Sequence, residues 1–408
     1  MKILLINNFY YNRGGDCTYM FSLKKLLEQN GHEIITFSMN HPQNFECKDS
    51  KYFVSYINYA EEVKKNNIST GIKVLGRTIF SKEAKNKIED LIREEKPDIA
   101  HLQNIHHHIT PSILYSLRAN KIPIVWTLHD YTLICPNTSF LSHGMICEKC
   151  KKRKYYWPLF TRCKKNSFGA SAVAALETTI HRILRINNLV DIFIAPSKFL
   201  RDKFIEYGFN PEKIIHLDHF IDYPVAKDIC SPEDYYLFVG RIAEEKGIKT
   251  LIDAAIRTNL SRLKIAGGGP LIDDLKKYVA ENDKENRIEF LGHKSRKDLL
   301  SLYKKSKFLV VPSEWYENSG LIIFEAFACG KPVLGSNIGG IPELVKDGER
   351  GLICNHGSIE CLASSIKYLI DNQELTSKMG ENARNYLRKN LNDRIHYTRL
   401  MDIYKKVS

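Results

Sequence analysis

Two carboxylates, Glu317 and Glu325, stand with seven residues between them in the segment Glu317-Asn318-Ser319-Gly320-Leu321-Ile322-Ile323-Phe324-Glu325. The apolar run Phe308-Leu309-Val310-Val311 precedes them and reads as a buried strand stopped by Pro312 and Ser313. Leu321 to Ala328 then reads as a helix. A strand, a turn and a helix start make an anion site, because the first N–H groups of a helix have no partner inside it. A diphosphate suits Ser319, Gly320 and Leu321. Glu325, a carboxylate in the first turns, suits a neutral diol such as a ribose. Glu317, in the preceding loop, suits the hydroxyls of a second sugar. An isolated pair of glutamates at this spacing is usually solvated surface charge. Pro312-Ser313 before, Ser319-Gly320 inside and Gly330-Lys331-Pro332 after it set this pair apart.

Two cations point to the same chemistry. Gly240-Arg241 follows a strand, and Lys246-Gly247 precedes a helix. A leaving nucleoside diphosphate gains negative charge as its glycosidic bond breaks, and fixed cations stabilise that state more than the ground state. Gly267-Gly268-Gly269-Pro270 follows another strand, where glycines let a backbone approach a ligand closely. No Asp-x-Asp occurs in the chain, so neutralisation falls to Arg241, Lys246 and backbone rather than to a catalytic metal.

These residues need a frame. Strand-like stretches (3–6, 33–38, 98–102, 124–128, 192–195, 214–217) alternate with helix-like ones up to about residue 220, and the alternation resumes at Tyr236. Short strands separated by helices predict parallel pairing and a doubly wound α/β sheet. The run 221–228 breaks the pattern and reads as a linker. Two such sheets in tandem are expected to face each other across a cleft.

The string from Pro312 to Val333 resembles the signature of retaining glycosyltransferases of family 4, with the GT-B fold, and the alternation over nearly the whole chain agrees. The resemblance implies two Rossmann-like domains: an acceptor-side domain at 1–220 and a nucleotide-sugar domain at 221–390. It also implies a terminal helix, 391–408, crossing back to the first domain. It assigns the donor diphosphate to Arg241 and Lys246 and places Gly268 and Gly269 beside the donor. It makes Gly14 and Gly15 a loop at the donor phosphates and acceptor, and puts His129 at the transferred sugar or acceptor. Glu317 then holds sugar hydroxyls instead of acting as a glycosidase nucleophile. The function implied is transfer of a hexose from a nucleotide diphosphate sugar to a glycan or lipid-linked acceptor in cell-surface polysaccharide synthesis. A nucleotide-sugar epimerase of the same fold is the alternative enzyme.

The chain has 408 residues, a formal charge of +13 and ten cysteines. The apolar start Ile3–Ile6 is too short for a secretory signal, and no run suffices to span a bilayer, so a cytoplasmic location is expected. Cys135, Cys147, Cys150 and Cys163 fall in one insert, 135–165, around a C-x2-C knuckle. Four thiolates so grouped match a structural Zn²⁺ site; reduced loop cysteines, or a redox pair at Cys147 and Cys150, are the rival readings. Lysines and arginines between 149 and 165 alternate with Tyr155, Tyr156, Trp157 and Phe160, a composition suited to an acidic membrane face. The same composition suits nucleic acid, which gives a zinc-knuckle nucleic-acid-binding protein as the third class. The lipid surface is the simpler partner beside a lipid-linked acceptor, and no nucleic acid is expected.

Overall fold

The computed structural model describes residues 1–57, 76–222 and 231–408. Most of the expected linker, from residue 223 to 228, lies outside the described residues, as does Cys230. The chain divides into two compact units. The first comprises Met1–His143, Cys147–Asp218 and His396–Ser408; the second comprises Gly144–Ile146 and His219–Ile395.

The first unit is built on β1 (Lys2–Ile6), β2 (Glu33–Phe37), β3 (Ile99–Leu102), β4 (Ile124–Thr127), β7 (Ile192–Ala195) and β8 (Ile214–His216). Between them the insert carries a short hairpin of β5 (Leu141–Ser142) and β6 (Met145–Ile146). The six-stranded sheet is parallel throughout, in the order β2-β1-β3-β4-β7-β8. Its strands are near-continuous apolar runs because helices cover both faces; Ile3, Leu4, Leu5 and Ile6 are all buried. Helix α1 (Gly15–Gln29) follows β1 and buries Cys17, Tyr19, Met20, Leu23, Leu26 and Leu27, which recur at helical spacing. The insert adds α2 (Trp157–Thr161), and α3 (Phe168–Ile183) and α4 (Lys198–Glu206) follow. The amphipathic stretch 174–183 is the later part of α3. The helix begins at Phe168, where the Ser167 hydroxyl accepts from the Ala170 N–H. It ends before Arg185, which is left-handed (φ 49°) and opens a separate 3-10 turn.

The second unit holds β9 (Tyr235–Val239), β10 (Arg262–Ala266), β11 (Ile288–Gly292), β12 (Leu309–Val311), β13 (Val333–Ser336) and β14 (Gly351–Cys354). They form a parallel sheet ordered β11-β10-β9-β12-β13-β14. The helices that bear on the site are α5 (Ile248–Thr258), α6 (Arg296–Lys305) and α7 (Leu321–Ala328). Helix α7, Leu-Ile-Ile-Phe-Glu-Ala-Phe-Ala, is apolar on nearly every side, as a fully buried helix must be. Ile323, Phe324, Ala326, Phe327 and Ala328 pack with Leu309, Val311 and Val333.

The chain ends in α8 (Asp393–Val407), which from His396 onward belongs to the first unit. His396 Nδ1 donates to the Asp218 carbonyl at 2.9 Å, so its Nε2 accepts from the Tyr19 hydroxyl at 3.0 Å. Further along, Tyr404 bonds His101 Nδ1 at 2.7 Å.

Candidate functional site

In the second sheet the strand order reverses direction between β9 and β12. Ligands of open parallel sheets bind outside the carboxyl ends of the strands at such a switch point. The loop after β9 carries Arg241 and Lys246, and the loop after β12 carries Glu317 and leads into α7. The two loops touch through their backbones: Glu314 N–H donates to the Glu245 carbonyl at 2.9 Å. Gly247, left-handed at φ +63°, opens α5; a Cβ there would lie 1.9 Å from the Pro312 oxygen. Only glycine allows the loops to close to this distance.

Glu317 is the centre of a polar cluster. Its Oε2 accepts from Lys246 Nζ at 2.6 Å, from the Trp315 indole at 3.0 Å and from the Ser313 hydroxyl at 3.2 Å. Burial opposes the charge on this carboxylate, yet Lys246 and the three donors more than offset it and hold its pKa below the usual range. Among the described residues no donor reaches Oε1. The residue therefore stays a carboxylate, with one oxygen fixed by protein and the other available to a ligand hydroxyl. The Gly340 N–H braces its backbone by donating to the Glu317 carbonyl at 2.8 Å.

At the start of α7 the N-cap Gly320 offers no side-chain cap. The N–H groups of Ser319, Gly320, Leu321 and Ile322 have no acceptor among the described residues. The Ser319 hydroxyl is buried and has no partner either. Five donors thus gather unpaired at one helix start, where the dipole favours an anion. Glu325, one turn along, accepts from the Tyr303 hydroxyl of α6 at 2.9 Å. Burial raises its pKa, against the opposing effects of Tyr303 and Arg296. Arg241 is 65% exposed and among the described residues pairs only with Glu245, at 3.5 Å, so its side chain can turn toward a ligand.

The glycine loop is packed closely against its protein neighbours. Gly267 has φ +142°, and a Cβ on it would sit 1.9 Å from the Gly240 carbonyl oxygen. On Gly269 a Cβ would come within 2.2 Å of the Ile242 oxygen, and on Gly268 within 2.5 Å of His293 Nε2. Gly267 and Gly269 let the loop after β10 pack on the loop that bears Arg241, and Gly268 makes room for His293 after β11. For Gly267 and Gly269 the close approach is to protein backbone, and for Gly268 it is to the His293 ring.

In the first sheet the direction reverses between β1 and β3. Gly14 and Gly15 are exposed at the start of α1, beyond β1. His129 follows β4, half-buried, and its Nε2 donates to Gln103 Oε1 at 2.7 Å just after β3. Burial lowers its pKa, partly countered by Asp16 and Asp130. Asn7 and Asn8 tie the loop after β1 to the loop after β3: Asn104 N–H donates to Asn7 Oδ1 at 3.1 Å, and Asn8 Nδ2 donates to the His106 carbonyl at 2.7 Å.

The four insert cysteines are free thiols. Burial raises the Cys150 thiol, and Cys135, Cys163 and Cys147 raise it further, so all four lie in one neighbourhood. Among the described residues no group of three or more His, Cys, Asp or Glu side chains stands arranged to hold a metal ion.

Several site residues escaped the sequence reading. Trp315 and Ser313 sit inside the signature string, and their spacing of two and four residues from Glu317 was the available signal. Gly339-Gly340 after β13 was a second. Tyr303 gave none, since it reads as one more apolar position of α6.

Parallel Rossmann-like sheets with a polar switch point and an uncapped helix start define the GT-B class of glycosyltransferases. Residues 13–223 match the family described as Glycosyltransferase Family 4, and residues 223–386 match Glycosyl transferases group 1. The chain belongs to this family and is a glycosyltransferase. It is 28% identical over 394 residues to an uncharacterized glycosyltransferase of Methanocaldococcus jannaschii, spanning 95% of this chain and 94% of that one. It is 24% identical to the N-acetyl-alpha-D-glucosaminyl L-malate synthase of Bacillus anthracis, over 94% of this chain and 92% of that one. In fold it resembles Anabaena HepE, solved in complex with UDP-glucose, with a TM-score of 0.64, 18% identity and full coverage of both chains. Among the described residues no helix is long and apolar enough to cross a membrane.

Proposed function

We propose that this glycosyltransferase moves a hexosyl group from a nucleoside diphosphate sugar to a hydroxyl of a glycan or lipid-linked acceptor, with retention at the anomeric carbon. The observation that carries the donor class is the set of five unpaired donors at the start of α7, the Ser319 hydroxyl among them. A diphosphate satisfies them at once, and the UDP-glucose complex of a protein with the same fold supports that ligand class. Arg241 adds a mobile cation. Glu325 and Tyr303 offer the polar pair for a ribose diol, and Glu317 Oε1 accepts from a hydroxyl of the transferred sugar.

In this reading the bond between the anomeric carbon and the diphosphate oxygen breaks, and its electron pair leaves with the diphosphate. The acceptor oxygen attacks the same face of the sugar, and its proton passes to the departing phosphate. Glu317 is too firmly tied to Lys246 to serve as a nucleophile, which favours the hydroxyl-binding role. Incubation with UDP-, GDP- and dTDP-sugars should release free nucleoside diphosphate with one base. Arg241→Ala should slow that release by roughly 10²–10³-fold, the usual loss for one donor to a developing charge. Absence of release or of thermal stabilisation with every nucleotide in the panel overturns the reading.

A further inference from the structure

Helix α3 presents the wrong face to water. Its inward side carries Ser171, Glu177, Thr178 and His181, all buried. Each has a local use: Glu177 pairs with His107 at 3.4 Å, His181 Nε2 donates to the Ile79 carbonyl at 3.0 Å, and Thr178 donates to Ala174. Its outward side shows Val173, Leu176 and Ile183 at spacings of three and seven, with Ile183 73% exposed and Leu176 44%. Exposed helix faces normally carry charge; here the charged residues of the helix are Glu177, which is buried, and Arg182. On α2, which packs against α3, Phe160 is 72% exposed.

The apolar face runs directly into a basic cavity. In Arg182-Ile183-Leu184-Arg185 the two exposed apolar residues lie between two arginines that turn into a cavity of about 310 Å³. Arg153 and Lys213 line it too, and no carboxylate does. None of the three arginines has an ion-pair partner among the described residues. Arg182 is held near Arg153, which together with burial disfavours its charge. Like charges gathered without a counter-ion mark a place for an external anion. The cavity residues from Arg182 to Asn188 lead into β7, and Lys213 immediately precedes β8. The cavity therefore lies at the amino ends of these strands. The edge that carries His129 and Gln103 is the opposite one.

We propose that this surface docks on an acidic membrane: the cavity receives the phosphate of an anionic phospholipid head group, while Ile183, Leu184 and the outward face of α3 enter the acyl boundary. A soluble phosphate would use the arginines but leaves the apolar face unexplained. A bilayer accounts for both, since amphipathic surfaces of this kind sit at the boundary of head group and chain. The inference stands apart from the donor chemistry, because binding is read without substrate.

The test is co-sedimentation of the full-length protein with phosphatidylcholine vesicles, with and without phosphatidylglycerol. The protein should pellet with the acidic vesicles alone. Arg182→Gln and Ile183→Glu should each weaken that binding by about fivefold or more, the contribution of one basic residue near an anionic surface. Release of nucleoside diphosphate from a soluble donor should not change in either variant. Ile183 is so exposed that its substitution leaves folding intact even where Arg182→Gln does not. Equal vesicle binding by wild type and Ile183→Glu overturns the proposal. So does binding of soluble glycerol 3-phosphate, lost in Arg182→Gln, by a protein that ignores vesicles. A third contrary result is a dimer that Ile183→Glu converts to monomer without any vesicle binding, which would make the face a contact between copies.

Discussion

Replacing Lys246 by Met should convert Glu317 from a stabilising to a destabilising group, and the sign of the pH dependence should reverse with it. The two charges are 2.6 Å apart, with side chains 23% and 13% exposed. At an effective dielectric of about 20 their attraction is about 6 kcal/mol, an upper bound because both ions gave up water to form the pair. Breaking such a pair from one side costs about 3–5 kcal/mol, since the surviving charge stays buried. In the native protein the Glu317 pKa is depressed, so its stabilisation is complete above the unfolded value of 4.5 and is lost as pH falls through the folded pKa. In Lys246→Met burial dominates and the folded pKa rises above 4.5, so stability should increase as pH falls from about 7 to about 5. Urea unfolding across that range measures both the loss and the slope. Lys246→Met/Glu317→Gln, with no charge left, should recover much of the loss, giving a coupling on the order of 2–3 kcal/mol. An unchanged pH slope in the single variant, or additive losses in the double one, refutes the view that one lysine fixes this carboxylate.

Ser319→Ala should leave the free protein as stable or stabilise it by about 1 kcal/mol, because an unpaired buried hydroxyl is removed, yet weaken nucleoside diphosphate binding about tenfold by calorimetry. Gly267→Ala, forced against the Gly240 oxygen at φ +142°, should lower the thermal midpoint and abolish the nucleotide-induced shift; a normal midpoint contradicts the packing role. Glu325→Gln should stabilise the protein at neutral pH and lose that advantage near pH 4.5, because with a raised folded pKa the buried carboxylate becomes a cost as pH rises above the unfolded value of 4.5. His101 and His396 are held down to about 3 and about 4 by burial, so stability should fall from pH 6.5 toward those values as the unfolded chain takes up protons. The slope should approach ~1.4 kcal/mol per pH unit for each histidine, and a flat profile of thermal midpoint in that range excludes the assignment.

The alternation of strands and helices was readable because parallel strands buried on both faces leave unbroken apolar runs, as in Ile3–Ile6 and Leu309–Val311. The start of α7 was readable too, since Pro312-Ser313 and Ser319-Gly320 bracket a change of period. What sequence could not show was where side chains spend their hydrogen bonds. Lys246 read as a cation aimed at a diphosphate, but its ammonium holds Glu317, while the Arg241 side chain is exposed. Gly267 to Gly269 read as room for a ligand, because sequence shows the missing Cβ and not the neighbour that requires its absence. The orientation of helix α3 was hidden for a related reason. Its apolar residues lie on two opposite sides, and periodicity alone does not say which side meets the sheet.

On the proposed reading the two switch points suit different ligands. The one in the second sheet is charged: a carboxylate held ionised by a lysine, a mobile arginine and a helix start with open N–H groups. On the proposed reading such a site suits a ligand that brings two phosphates and a sugar. In the first sheet the loops at the switch point are lined mainly by neutral amides and imidazoles, with Asp16 and Asp130 near His129. Asn7, Asn8, Gln103 and Asn104 line its loops, Gln103 Nε2 and His106 Nδ1 are buried without partners among the described residues, and burial holds His106 down to about 4, neutral at physiological pH. Neutral amides and imidazoles both donate and accept, so they discriminate among hydroxyl arrangements without attracting phosphate. On the same reading, such a surface suits a hydroxyl-rich acceptor. In this family member donor affinity should therefore follow salt and charge substitutions in the second unit. Acceptor choice should follow amide and imidazole substitutions in the first: Gln103→Leu should raise the acceptor KM while leaving donor hydrolysis by water unchanged. Loss of both together would mean that Gln103 supports the fold of the loop and does not read the acceptor.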